Sequence, residues 1–160
     1  MTTNIINQNI SLIFVYSFMI TPRYTGNITI DMPNKYEKTH LDTLLFFCYE
    51  YDHARRLLGD GAYVNAKNNI GRTPLHYCEF PRIAELFIKA GADVNATDDN
   101  GNTPLHTCKN VSIAKILVEN GANINAINED NKTPLTTARN KEIREYLINK
   151  GAMCVLKNES

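Results

Sequence analysis

The chain carries no surplus of either charge, no cysteine pair at metal-ligand spacing and no apolar run long enough to cross a bilayer. Each absence removes a class of function. Lys plus Arg and Asp plus Glu both number 17, whereas a nucleic-acid surface is marked by a basic surplus. A nucleic-acid partner is therefore not expected. There is no glycine-rich phosphate loop, no pair of carboxylates at catalytic spacing and no CxxC, so catalysis has no visible residues to act through. No cofactor, metal or small-molecule substrate is expected, and the protein reads as a non-enzyme. The most apolar stretch, Ile10 to Ile20, would span about 17 Å as a helix against roughly 30 Å of bilayer hydrocarbon. That argues against a membrane span.

What is present is a period. Four blocks of thirty residues, 41–70, 71–100, 101–130 and 131–160, align without a gap. Thr43, Thr73, Thr103 and Thr133 share one column, and Leu45, Leu75, Leu105 and Leu135 another. Gly61-Ala62, Gly91-Ala92, Gly121-Ala122 and Gly151-Ala152 share a third. A fixed period of this length marks an all-α repeat solenoid of stacked helix-turn-helix units. The domain organisation that follows is an N-terminal extension, 1–40, ahead of four repeats, 41–160.

The second block shows how one unit folds. Thr73 is placed at an N-cap and Pro74 at the first helical position, where its missing N–H and fixed φ fit. Tyr77 to Glu79 are expected to finish this short helix, and Phe80-Pro81 to break it. A second helix is predicted from about Arg82 to Ala90, with Ile83, Leu86, Phe87 and Ala90 as one buried stripe. Gly91 follows at C′, where positive φ suits glycine. Val94 to Asn102 form a turn cluster with Asn100-Gly101 at its hairpin-like tip.

Thr73-Pro74-Leu75-His76 with Cys78, Thr103-Pro104-Leu105-His106 with Cys108, and the tails Gly91-Ala92-Asp93-Val94-Asn95-Ala96 and Gly121-Ala122-Asn123-Ile124-Asn125-Ala126 resemble the ankyrin repeat family. Two motifs recurring in phase make the resemblance specific. The period is three residues shorter than the family's, a loss placed near the inter-helix turn, and cysteine stands where the family usually has alanine. The resemblance implies that His76 and His106 hydrogen-bond the turn and the capping threonine and so knit one repeat to the next. It also implies a scaffold that binds another protein through a concave surface of turns and first helices.

Cysteine and histidine are read structurally. Cys48, Cys78 and Cys108 occupy one column, so neighbours lie an inter-helix spacing of roughly 8–10 Å apart. That is too far for a disulfide or a shared zinc. Buried thiols in a reducing compartment are expected. His76 and His106 are separated in the same way, and no nucleophile accompanies His40 or His53. The 20 asparagines beside 16 isoleucines read as the background of AT-rich coding sequence.

If framework columns hold the stack, binding falls to columns that vary while exposed. These are Asn69, Ile70, Arg72 and Tyr77; Asp99, Asn100, Asn102 and Thr107; Glu129, Asp130, Lys132 and Thr137. Their chemistry drifts from basic and aromatic to acidic, which orients a charged partner. A monomer binding a protein partner is expected.

Both ends depart from the pattern. The last block has Thr136 for histidine and places Arg144 and Glu145 in its second helix, as a terminal cap would, while Cys154-Val155-Leu156 leave the final turn open. In the first block Leu44 to Cys48 form an apolar helix without the proline or histidine, and residues 1–40 are the candidate cover for it. Within that extension Ile10 to Ile20 suits a strand pairing with Ile28-Thr29-Ile30. A secretory signal fits the length, but Met1 to Asn9 lacks positive charge and no cleavage box follows. Met32 is an alternative start. The rival functions are an exported or membrane-associated effector targeted by that apolar segment, and a degenerate repeat protein without a partner. By resemblance to short ankyrin proteins of intracellular bacteria and large DNA viruses, the expected compartment is the cytoplasm, or a host cell into which the protein is delivered.

Overall fold

The computed structural model describes residues 40–153. The apolar run Ile10 to Ile20, the segment Ile28 to Ile30 and the closing Cys154-Val155-Leu156 lie outside the described residues. Among those described are eight helices and no strand: α1 (His40–Leu45), α2 (Tyr51–Gly59), α3 (Pro74–Tyr77), α4 (Pro81–Lys89), α5 (Pro104–Thr107), α6 (Val111–Glu119), α7 (Pro134–Thr137) and α8 (Lys141–Asn149). Like packs on like. The first helices α3, α5 and α7 stack in order, as do the second helices α2, α4, α6 and α8.

The first helices α3, α5 and α7 are single turns. Thr73 and His76 close a capping box at the start of α3, and Thr103 with His106 does the same for α5. The helix ends at Tyr77 rather than continuing to Glu79, because Cys78 is extended (φ −65°, ψ 123°). Phe80 is extended too, as its place before proline requires, but Pro81 opens α4 instead of only ending α3. The shortened period therefore leaves a three-residue link, Cys78 to Phe80, between the helices.

The glycine-alanine column closes every second helix. In the α4 case the Ala92 N–H donates to Phe87 O at 2.9 Å and the Gly91 N–H to Ile88 O at 3.0 Å, the paired bonds of a Schellman end. Gly91 has φ +89°, and Ala92 is buried beneath the turn. Leu57, Leu117 and Leu147 accept the equivalent bond from Ala62, Ala122 and Ala152.

The core runs along the stack through Leu45, Leu75, Leu105 and Leu135 and through the second-helix residues Ala54, Leu57, Ile83, Ala84, Phe87, Ile113, Ala114, Leu117, Ile143 and Leu147. The buried stripe of α4 is thus Ile83, Ala84 and Phe87. Leu86 is half-buried at its edge and Ala90 is exposed. The shift has a geometric cause: a helix gripped by a neighbour on each side buries the line facing both, and Ala90 lies past the last helical residue, at the C-cap.

The first repeat keeps this packing with different residues. Its helix α1 ends at Leu45, so Phe46 and Phe47 lie in the turn beyond it. Phe46 occupies the histidine column and meets Tyr77 edge-on, ring centroids 6.0 Å apart. The Asp42 carboxylate accepts the Tyr63 N–H, and Phe47 is 41% exposed. In the last repeat Arg144 is half-buried rather than turned to solvent, because its Nη1 donates to Ala138 O at 2.8 Å.

Candidate interaction surface

Four ladders of hydrogen bonds run from repeat to repeat beneath the turn tips. The first is carried by histidine. His76 Nδ1 lies 3.0 Å from the Thr73 nitrogen and 2.9 Å from its Oγ1, while Nε2 lies 3.0 Å from Asn102 O in the next repeat. His106 repeats this with Thr103 and with Lys132 O at 3.1 Å. Both rings are buried, and burial holds both pKa values below the ordinary imidazole range. Thr136 replaces the third ring and turns back, its hydroxyl donating to Thr133 O and accepting the Thr133 N–H.

The second ladder shapes the tips. Asn68, Asp98 and Asn128 share a column, and one side-chain oxygen of each accepts two N–H groups of its own turn. Asp98 Oδ1 takes those of Asn100 (3.0 Å) and Asn102 (2.8 Å); Asn68 takes those of Ile70 and Arg72, and Asn128 those of Asp130 and Lys132. This is the Asx turn, a short polar side chain standing in for backbone. Successive tips then join through Asp99 N–H to Ile70 O (3.1 Å) and Glu129 N–H to Asn100 O (3.0 Å). Gly71 and Gly101 make this approach possible. Both have positive φ, and a Cβ on Gly71 would lie 2.8 Å from the Asp99 nitrogen.

Asn65, Asn95 and Asn125 form the third ladder. Asn65 donates to Gly91 O and accepts the Asp93 N–H, Asn95 does so with Gly121 and Asn123, and Asn125 accepts the Met153 N–H. Threonine supplies the fourth, with Thr107 Oγ1 donating to His76 O and Thr137 Oγ1 to His106 O.

Electrostatics single out one junction. Arg72 Nε meets Asp98 Oδ2 at 2.9 Å, with the Asp98 side chain 0% exposed. Burial alone would raise the Asp98 pKa, but the Arg72 guanidinium and the Asn102 and Asn100 N–H donors hold it below the usual carboxylate range. The same guanidinium lies over the Tyr77 ring, 5.5 Å from its centroid, and the Tyr77 hydroxyl accepts from Asn68 Nδ2 at 3.0 Å.

The twelve residues anticipated as contact points divide accordingly. Asn69, Ile70, Tyr77, Asp99, Asn100, Glu129, Asp130 and Lys132 are exposed. Arg72, Asn102, Thr107 and Thr137 are half-buried, because their polar groups bond the neighbouring repeat. Arg72, Tyr77 and Thr107 come together in a groove of about 410 Å³, walled also by His76, Cys78, Glu79, Lys109 and Asn110. Cys78 and Cys108 are half-buried rather than fully buried; their thiols donate to Phe80 O and Asn110 O in the link between helices. Burial pushes Cys78 up to about 11 and Cys48 to about 12.

The sequence reading assigns no role to the tip residues Asn68, Asp98 and Asn128 or to Asn65, and has Asn95 and Asn125 only as letters of the repeated tail. Their signal was available, a short polar side chain recurring every thirty positions. It was hidden by treating asparagine as compositional background.

Single-turn first helices, stacked second helices and histidine bridges from each repeat to the next turn define a helical repeat stack. Residues 79–158 match the family described as ankyrin repeats (3 copies), half of the chain, and the chain belongs to the ankyrin repeat family. No curated protein matches it. The ladders extend the repeat pattern on the N-terminal side of the matched segment, back to the Asp42 contact with Tyr63. Ankyrin repeats in general are non-catalytic modules that bind other proteins. Among the described residues no helix is long and apolar enough to cross a membrane.

Proposed function

We propose that this protein is a non-catalytic interaction scaffold that binds one protein partner through its turn tips and first helices. One observation carries the reading. The repeating polar residues spend their hydrogen bonds inside the stack, while the tip residues that change from repeat to repeat stay exposed: Asn69 and Ile70, then Asp99 and Asn100, then Glu129, Asp130 and Lys132. Because repeats lie side by side, these positions form one extended surface, the feature by which solenoids usually bind. Arg72, Asn102, Thr107 and Thr137 back that surface and set its contour. The scaffold works as a monomer in a reducing compartment, the cytoplasm or a host cell that receives it, a setting compatible with three free thiols in one column.

Affinity capture from cells, with mass spectrometry, tests this. A quadruple variant of exposed tip residues, Asn69→Glu, Ile70→Glu, Asn100→Glu and Lys132→Glu, should lose the partner that the parent retains while keeping its thermal unfolding midpoint. Retention of the same partner by the variant would remove this surface from the function.

A further inference from the structure

We infer that the groove between α3 and α5 receives an extended acidic segment of the partner, with carboxylate groups on Arg72 and Lys109 and a neighbouring apolar side chain against Tyr77. This rests on the scaffold reading above and gives its partner a chemistry.

Three observations converge on the groove. Asp98 occupies Nε of Arg72, yet its side chain is wholly buried, while Arg72 remains 27% exposed. The groove thus meets the cation and not its counter-ion. An arginine carries five N–H donors in a fork suited to carboxylate, so engagement of Nε by Asp98 and a contact with the Tyr77 side chain still leave terminal N–H groups for a second acceptor. At the opposite rim Lys109 pairs with Glu79 at 3.3 Å, side chains 82% and 45% exposed. A pair so open to water is weak, and an incoming carboxylate exchanges with Glu79 at little cost. The exposed charges of the groove are therefore two cations and one anion.

The anchors are also held in place before binding. Asp98 fixes the guanidinium, and Tyr77 is held by the Asn68 amide at its hydroxyl and by the Phe46 ring at its edge, with 39% of its surface left open. Pre-ordered rings and forks lose little entropy on contact. Beyond the groove, Asp99, Glu129 and Asp130 stand exposed on the tips of the next repeats. They repel an acidic segment and confine it to the α3–α5 side, which gives the bound chain a direction.

The test uses the full chain labelled with nitrogen-15 and two short synthetic peptides, one of alternating Glu and Leu and its Lys-Leu counterpart. The acidic peptide should shift the Tyr77, Thr107 and Lys109 amides saturably, and the basic one should not. Lys109→Glu should weaken the acidic peptide by roughly tenfold, as loss and reversal of one close charge would, and Glu79→Gln should tighten it. Equal shifts with both peptides, shifts confined to other residues, or unchanged affinity in both variants would overturn the assignment. If the peptides fail while a captured partner is still lost from the quadruple surface variant, only the acidic chemistry falls. If the captured partner also persists, the scaffold surface falls with it.

Discussion

His76 Nε2 sits 3.0 Å from the backbone oxygen of Asn102, twenty-six residues on and one repeat away. One ring thereby ties its own capping threonine to the next turn. Removing it should strand the Thr73 N–H, at about 1–3 kcal/mol for a buried group left unsatisfied, and cut the tie to the next turn, where the Asn102 carbonyl keeps only the Asp98 N–H. His76→Ala should therefore lower the urea midpoint clearly, whereas the exposed His53→Ala should stay within about 0.5 kcal/mol of the parent. Equal midpoints for the two variants would mean that the bridge does not hold the stack.

The same geometry sets a pH dependence. Nδ1 accepts the Thr73 N–H, so it bears no hydrogen, and Nε2–H donates to Asn102 O. A proton added at Nδ1 would set donor against donor. Burial lowers the pKa of His76, outweighing the Asn102 carbonyl and the Asp98 charge that raise it, with Arg72 and Lys67 adding to the fall, and burial likewise lowers that of His106. The unfolded chain then takes up protons near the ordinary value of about 6.5, before the folded one does. Stability is full above that pH and falls as pH drops through the lower folded values. Urea titrations should show stability decreasing as pH drops below about 6.5, in the range where histidine is the side chain that titrates. A His76→Gln, His106→Gln double variant should be flatter across it; a parent curve without slope would contradict the buried neutral rings.

Glycine gives a contrast between two positions. Gly101 has φ +74°, and a Cβ there would meet Asn128 Cα at 3.2 Å, whereas Gly59 ends α2 at ordinary φ with nothing within 4 Å. Gly101→Ala should destabilise by more than about 1 kcal/mol, from left-handed strain and crowding against the next tip. Gly59→Ala should be neutral or stabilising by up to about 1 kcal/mol, since alanine is the better helix former. Thermal unfolding of the two variants compares them directly, and a shared direction of change would break the tip-to-tip account. Asn131, the equivalent of Gly101 in the last repeat, reaches φ +57° as asparagine, the non-glycine residue best suited to it.

How far the chain could be read in advance follows from where its information lies. The period, the Thr-Pro-Leu-His caps and the Gly-Ala helix ends are local signals, and the structure has them in place. The stripe of α4 departs from the expected one at Ala90 and Leu86 because a helical wheel assumes one buried side, and a stacked helix has two. Cys78 and Cys108 are only half-buried because α3 and α5 end one residue before them, which puts each thiol in a link. Thr107 and Thr137 read as surface since nothing local reveals that their hydroxyls reach backward to His76 O and His106 O. The groove at Arg72, Tyr77 and Lys109 joins residues of two repeats, a proximity that depends on the closeness of adjacent layers.

Asp98 separates two roles that its neighbours perform singly. As an Asx-turn acceptor it does what Asn68 and Asn128 do; as an anion it also balances Arg72. Asp98→Asn keeps the side-chain oxygen that takes the Asn100 and Asn102 N–H groups and gives up the charge together with the second acceptor, used by Arg72 Nε and Asn102 Nδ2, both of which are only half-buried. Asp98→Ala removes the acceptor as well and orphans both donors. The alanine variant should therefore lose clearly more stability than the asparagine variant, by about 1–3 kcal/mol for the unmet turn donors. Urea unfolding of the pair decides the point. Should both lose equally, the ion pair and not the turn would be what the buried carboxylate supplies, and the likeness of the three tips would be an accident of composition after all.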